Sequence, residues 1–120
     1  MKKTLLGILS VAALLAAAVV LSSPAVEAQG TVREFAVRGN QFAFSPSRLE
    51  VQKDDIVKVT FTAVDMPHSF TMDGAYRIAK RASAGQTVTF EFRATGSERF
   101  YCNLTQDERC KEMHGELVVK

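Results

Sequence analysis

The chain has 120 residues, with 15 Lys plus Arg against 13 Asp plus Glu, two His, two Cys and 8% aromatic residues. That length holds one small domain and not two. The near-balanced, interspersed charge gives no basic face for nucleic acid or for an anionic membrane.

Taken in chain order, the first segment is MKKTLLGILSVAALLAAAVVLSSPAVEA. Lys2 and Lys3 precede an uncharged apolar run from Leu5 to Leu21, and a polar stretch of small residues follows. This is the anatomy of a bacterial-type secretory signal. Val26 and Ala28 set the small-x-small pattern for a cut ahead of Gln29, so residues 1–28 are read as a signal peptide and 29–120 as one domain. An uncleaved anchor is the competing reading, since the run approaches the minimum bilayer span of about 17 residues. No Cys lies near the cut, which argues against a lipoprotein. Without Lys2, Lys3 and Glu27 the remainder carries 13 basic and 12 acidic side chains. Export to the periplasm or beyond also sets the redox compartment: two cysteines there either pair or are held, often by a metal.

Beyond residue 28 the apolar period is two, which predicts strands. TVREFAVRG alternates loosely. RLEVQKDDIVKVTFTAV reads as a strand, a charged turn at Lys53-Asp54-Asp55, and a strand with Val57, Val59 and Phe61 on one face. His68 opens a strand His68 to Met72, just after Pro67. QTVTFEFRA places Val88, Phe90 and Phe92 on one face, RFYC forms the penultimate strand, and GELVVK closes the chain. Short strands, no long helical window and no internal repeat predict an all-β Greek-key β-sandwich or barrel.

Nearly everything reactive falls in MPHSF and FYCNLTQDERCKEMHGELVV. If the strands carrying His68 and Cys102 are neighbours, His68 meets Cys102, Cys110, Met113 and His114 at one end of the sandwich. Imidazole, thiolate and thioether form a soft donor set that favours copper, with zinc as competitor. Each residue has a plainer reading as well. Cys102 and Cys110 could form a disulfide worth about 2–3 kcal/mol by loop closure. His68 and His114 could be exposed loop histidines, and Met66, Met72 and Met113 packing residues. No nucleophile elbow, HExxH or phosphate loop is present, so no enzyme is expected.

At this point the sequence resembles the cupredoxins. FAFSPSRLEVQKDDIVKVTFTAVDMPHSF is similar to the family's N-terminal half leading to its first ligand histidine, with Asp54 where Gly is usual. FYC, followed by Met113, Gly115, Leu117 and Val119, is similar to its C-terminal half. The opening FAFSPSRLEV resembles small periplasmic cupredoxin-like domains of the iron-uptake-lipoprotein and nitrous-oxide-reductase type. The spacing in the ligand loop departs from the family, being Cys-x7-Cys-x2-Met. Against the binuclear pattern Gln106 replaces the second Cys and Cys110 stands where a His belongs, which removes a bridging thiolate and with it a binuclear centre. The resemblance implies a mononuclear copper electron carrier using His68, Cys102, Cys110 and Met113, with His114 as the alternative to Cys110. Two further readings stay open: copper delivery or storage, and a metal-free module closed by a Cys102–Cys110 disulfide. A monomer with an unidentified redox or copper-trafficking protein partner is expected, with no membrane contact after signal cleavage.

Overall fold

The computed structural model describes residues 30–120, and the expected signal segment 1–28 lies outside them. Among the described residues the order is β1 (Val32–Asn40), β2 (Ala43–Ser45), β3 (Arg48–Val51), β4 (Ile56–Ala63), β5 (His68–Met72), β6 (Ile78–Ala82), β7 (Thr87–Arg93), β8 (Glu98–Tyr101), a 3₁₀ helix (Glu108–Glu112) and β9 (His114–Val119). One sheet runs β2-β1-β4-β7 and the other β3-β9-β8-β5-β6. The two face each other as a β-sandwich, the all-β Greek-key class expected from the period-two pattern.

The expected charged turn is where the chain changes sheets. β3 pairs in parallel with β9, whereas β4 pairs in parallel with β1 and antiparallel with β7. The turn is tied down by Asp55, whose buried carboxylate accepts the Gln52 N–H at 2.9 Å. Asp54 has φ +74°, a left-handed conformation that Gly adopts at no steric cost and Asp tolerates better than most residues. That explains why Gly is the usual residue of the resembled pattern here.

The alternation in β4 sends Val57, Val59, Phe61 and Ala63 inward, all buried. They meet Phe44, Phe70, Phe90 and Phe100, which form the middle of the core. Phe70 and Phe100 stack with centroids 4.4 Å apart, and Phe44 stands edge-on to Phe100 at 5.0 Å. Phe90 is buried on β7, with Val88 and Phe92 partly so on the same face. Gly115 must be glycine for a packing reason: a Cβ there would overlap the Phe100 ring and come within 2.6 Å of Ser47 O. The short β2 and the 3₁₀ helix were not foreseen, nor was β6, whose IAKRA carries two exposed basic residues and little alternation.

Candidate metal centre

β5 and β8 are antiparallel neighbours, with Thr71 opposite Tyr101. The start of β5 and the end of β8 therefore share one end of the sandwich, bringing His68, the first residue of β5, to Cys102, the first residue beyond β8. β8 also pairs with β9, Tyr101 opposite His114. The pairing continues one step further, since Cys102 N–H donates to Met113 O at 3.3 Å. The intervening segment leaves the sheet at Asn103 and returns through the 3₁₀ helix, capped by the Asp107 carboxylate accepting from the Arg109 N–H. Cys110 is the buried residue of that helix.

A ring nitrogen of His68 and the Sγ atoms of Cys102 and Cys110 all lie within 4.8 Å of one another, and all three residues are fully buried. Three donors bound to one ion at about 2.0–2.3 Å sit some 3.5–4 Å apart, so small side-chain shifts close this cluster on an ion. Both cysteines are free thiols. Met113 is buried at the same corner, joined to both: its N–H donates to Cys110 O at 3.1 Å while its carbonyl accepts from Cys102.

His114 is placed differently. It is exposed, and its Nδ1 lies 2.9 Å from Glu112 O. Strand alternation turns it away from the interior while Met113 and Gly115 face in. Of the two expected alternatives, Cys110 lies in the cluster with His68 and Cys102, and His114 lies outside it.

Asp65 orients the histidine. Its Oδ1 lies 2.8 Å from His68 Nε2. Burial works against the Asp65 carboxylate, but the hydrogen bonds from the His68 ring and the Gln41 N–H outweigh it and hold its pKa below the usual value. An ionised carboxylate only accepts, so Nε2 carries the proton. In the neutral imidazole Nδ1 then offers a bare lone pair, and Nδ1 is buried without any hydrogen-bond partner. An orphaned, fully buried acceptor beside two thiols is what a metal ion would satisfy. Gly39 leaves room for the ring, since a Cβ there would stand 3.3 Å from His68 Cδ2.

Further contacts join the segments that carry His68, Cys102 and Cys110. Ser69 Oγ donates to Asn103 Oδ1 at 2.7 Å and accepts the Asn103 N–H at 2.8 Å, a reciprocal clasp between the residues following His68 and Cys102. Gln106 Nε2 donates to Pro67 O at 2.7 Å. The Arg109 guanidinium lies 4.4 Å over the Phe42 ring. Sequence reading missed Asp65, Ser69, Asn103 and Gln106. The one available signal was position: Asp65 lies three residues before His68, and Ser69 and Asn103 each follow a candidate ligand.

The electrostatics favour a neutral Cys110 thiol in the absence of metal. Burial, followed by the hydrogen bond with Cys102, pushes the Cys110 thiol up to about 11. Metal uptake near neutrality must therefore displace the Cys110 proton.

The cupredoxin-like domain family model matches residues 11–119 of the chain, and the chain belongs to that family. No curated protein matches it by sequence. Among solved structures it is similar to auracyanin A, a "blue" copper protein from the green thermophilic photosynthetic bacterium Chloroflexus aurantiacus, with 18% identity and TM-score 0.61 over 74% of this chain and 99% of that one. Dithionite-reduced auracyanin from Roseiflexus castenholzii matches at 17% identity and TM-score 0.61 over 76% and 99%. A chain of a heme-copper terminal oxidase dimer matches at 14% identity and TM-score 0.64 over 79% and 68%. At these identities the likeness is one of fold.

The Asp65 contact yields a prediction. Asp65→Ala removes the acceptor that fixes the His68 tautomer and should weaken copper affinity on the order of 10–100-fold. Asp65→Asn keeps an acceptor oxygen and should retain most of it. Competition titration against a chromogenic chelator reads both, and equal losses in the two variants would mean that the hydrogen bond does not orient the ring.

Proposed function

We propose that the protein is an exported mononuclear copper protein that carries single electrons, with His68 Nδ1, Cys102 Sγ and Cys110 Sγ as ligands and Met113 as a weaker fourth. The observation that carries this reading is the buried, unpartnered His68 Nδ1 in a cluster with two thiols. The donors suit the ion: imidazole, thiolate and thioether are soft, and copper heads the affinity order for such sites. Bound copper would supply one-electron chemistry between its cuprous and cupric states.

The residues do the rest. Asp65 keeps a proton on Nε2, so that Nδ1 is the donor. The Ser69–Asn103 clasp fixes the spacing between the segments bearing His68 and Cys102. His68 and Cys102 hang from two paired strands over an aromatic core, a frame that holds this half of the site against geometric change and so lowers reorganisation on electron transfer. Burial of all three donors excludes water as a competing ligand. The family membership and the copper-protein neighbours support this class of function, and the apolar leader supports export. We read the chain as a carrier, not an enzyme, acting as a monomer with a protein partner.

One observation favours copper delivery or storage as the second reading. Two thiolates and one imidazole form a softer set than the resembled family's mononuclear loop provides, which favours the cuprous state. The test is reduced, copper-loaded protein in anaerobic voltammetry with a visible spectrum of the oxidised form. A reversible one-electron wave with strong thiolate-to-copper charge transfer is expected. Tight cuprous binding without a reversible wave would replace the carrier reading with storage.

A further inference from the structure

Cys102 and Cys110 are held side by side by the backbone, independently of any ion. Cys102 N–H donates to Met113 O and Met113 N–H donates to Cys110 O, so one residue yokes both cysteines. Their Sγ atoms, both free, lie within 4.8 Å. A disulfide requires sulfurs about 2.05 Å apart, so closure needs side-chain rotation and a shift of one short segment, not refolding.

The two halves of the pair are held unequally. Cys102 continues β8, between the Tyr101–His114 pairing and the Ser69–Asn103 clasp. Cys110 rides on a five-residue 3₁₀ helix whose other four residues are exposed. That helix is moored at the surface, by the Gln106 side chain on Pro67 O and by Arg109 over Phe42. Such solvent-exposed contacts are individually weak. The Cys110 side is therefore the movable half. Holding a metal requires both sulfurs as thiolates and a disulfide consumes both, so the pair has two mutually exclusive states.

We infer that the centre is a redox-gated metal site, in which the Cys102–Cys110 dithiol together with His68 holds the metal and oxidation of that pair by a disulfide compound releases it. The inference rests on the reading that these residues bind metal. In the exchange the Cys110 thiolate attacks one sulfur of the oxidant R–S–S–R, forming a mixed disulfide and releasing RS⁻. The Cys102 thiolate then attacks Cys110 Sγ, forming the Cys102–Cys110 bond and expelling the second RS⁻. Two electrons pass from the cysteine sulfurs to the oxidant's sulfurs. The metal leaves with its charge unchanged, balanced by the two RS⁻, and a dithiol reductant reverses the sequence.

The experiment loads the reduced protein with one equivalent of Cu(I) anaerobically, with a chromogenic Cu(I) chelator present, and adds oxidised glutathione. The same amount of reduced glutathione serves as control for simple competition. Oxidised glutathione should make the protein lighter by two hydrogen atoms and pass its copper to the chelator, and dithiothreitol should restore both. Gln106→Ala, which frees the helix from Pro67, should accelerate release without forming a new ligand. Cys110→Ser should form no internal disulfide and show no release beyond the control. A disulfide that forms while copper stays bound would overturn the gate, as would equal release by both forms of glutathione. Failure of the reduced protein to take up Cu(I) at all would instead overturn the metal reading itself.

Discussion

Cys102→Ser should remove one of the two thiolate donors, so that the visible charge-transfer band weakens and shifts, and should weaken copper binding by more than the ~10–100-fold that follows loss of an outer hydrogen-bond partner. Each thiolate sulfur is a donor of that transition, and a serine hydroxyl neither ionises near neutrality nor matches a soft ion. Cys102 is fully buried just beyond the end of β8. Circular dichroism of the variant should stay strand-dominated, because the ladder bonds around Cys102 are made by backbone. An unchanged band in a folded variant would exclude Cys102 as ligand and leave Cys110 as the sole thiolate donor.

Phe70→Ala should cost about 3–5 kcal/mol, the usual range for deleting a buried phenylalanine ring. Phe70 lies between the two sheets and contacts four other rings, stacking on Phe100 at 4.4 Å and reaching Phe90, Phe44 and Phe61 at centroid distances of 5.2, 6.1 and 6.1 Å. A domain of this size holds a total stability of roughly 5–15 kcal/mol, so the variant should unfold at much lower denaturant or not fold at all. Phe70 is also two residues from His68, so copper affinity should fall with stability. A denaturation midpoint within a few tenths of a molar of the parent would show that the core closes without this ring.

The strands were legible wherever burial was one-sided. In β4 the alternation of Val57, Val59 and Phe61 with Lys58, Thr60 and Thr62 reports a buried and a half-buried face directly. β5 was read at its observed bounds, His68–Met72, although both of its faces are buried, with Ser69 and Thr71 bonded to each other and Ser69 to Asn103. β6 was invisible because an edge strand with Lys80 and Arg81 has little apolar face to show. The pairing of β3 with β9 joins residues far apart in sequence and has no local signature.

At the candidate site, His68 and Cys102 were recognisable by residue type and by the family pattern, and Cys110 by residue type alone. The choice between Cys110 and His114 was not, because it depends on a single turn of 3₁₀ helix that turns Cys110 inward and leaves His114 as the exposed first residue of β9. Asp65 escaped notice for the same kind of reason: an aspartate before Met-Pro-His reads as loop polarity until its carboxylate is seen beside the ring nitrogen. Phe42, with φ +72° in the turn between β1 and β2, also became intelligible only in three dimensions, where Arg109 covers its ring and the Asp65 carboxylate holds the preceding Gln41 N–H.

X-ray absorption at the copper edge, on reduced protein loaded with one equivalent of Cu(I), tests the centre most directly because it counts and identifies the bound atoms. The structure predicts two sulfurs at about 2.3 Å and one imidazole nitrogen at about 2.0 Å, lengths that thiolate and imidazole take on ions of this size, with the sulfur count falling by one in Cys110→Ser. A first shell of nitrogen and oxygen alone, or a sulfur count unchanged by Cys110→Ser, would contradict the assignment of His68, Cys102 and Cys110 as a single copper site.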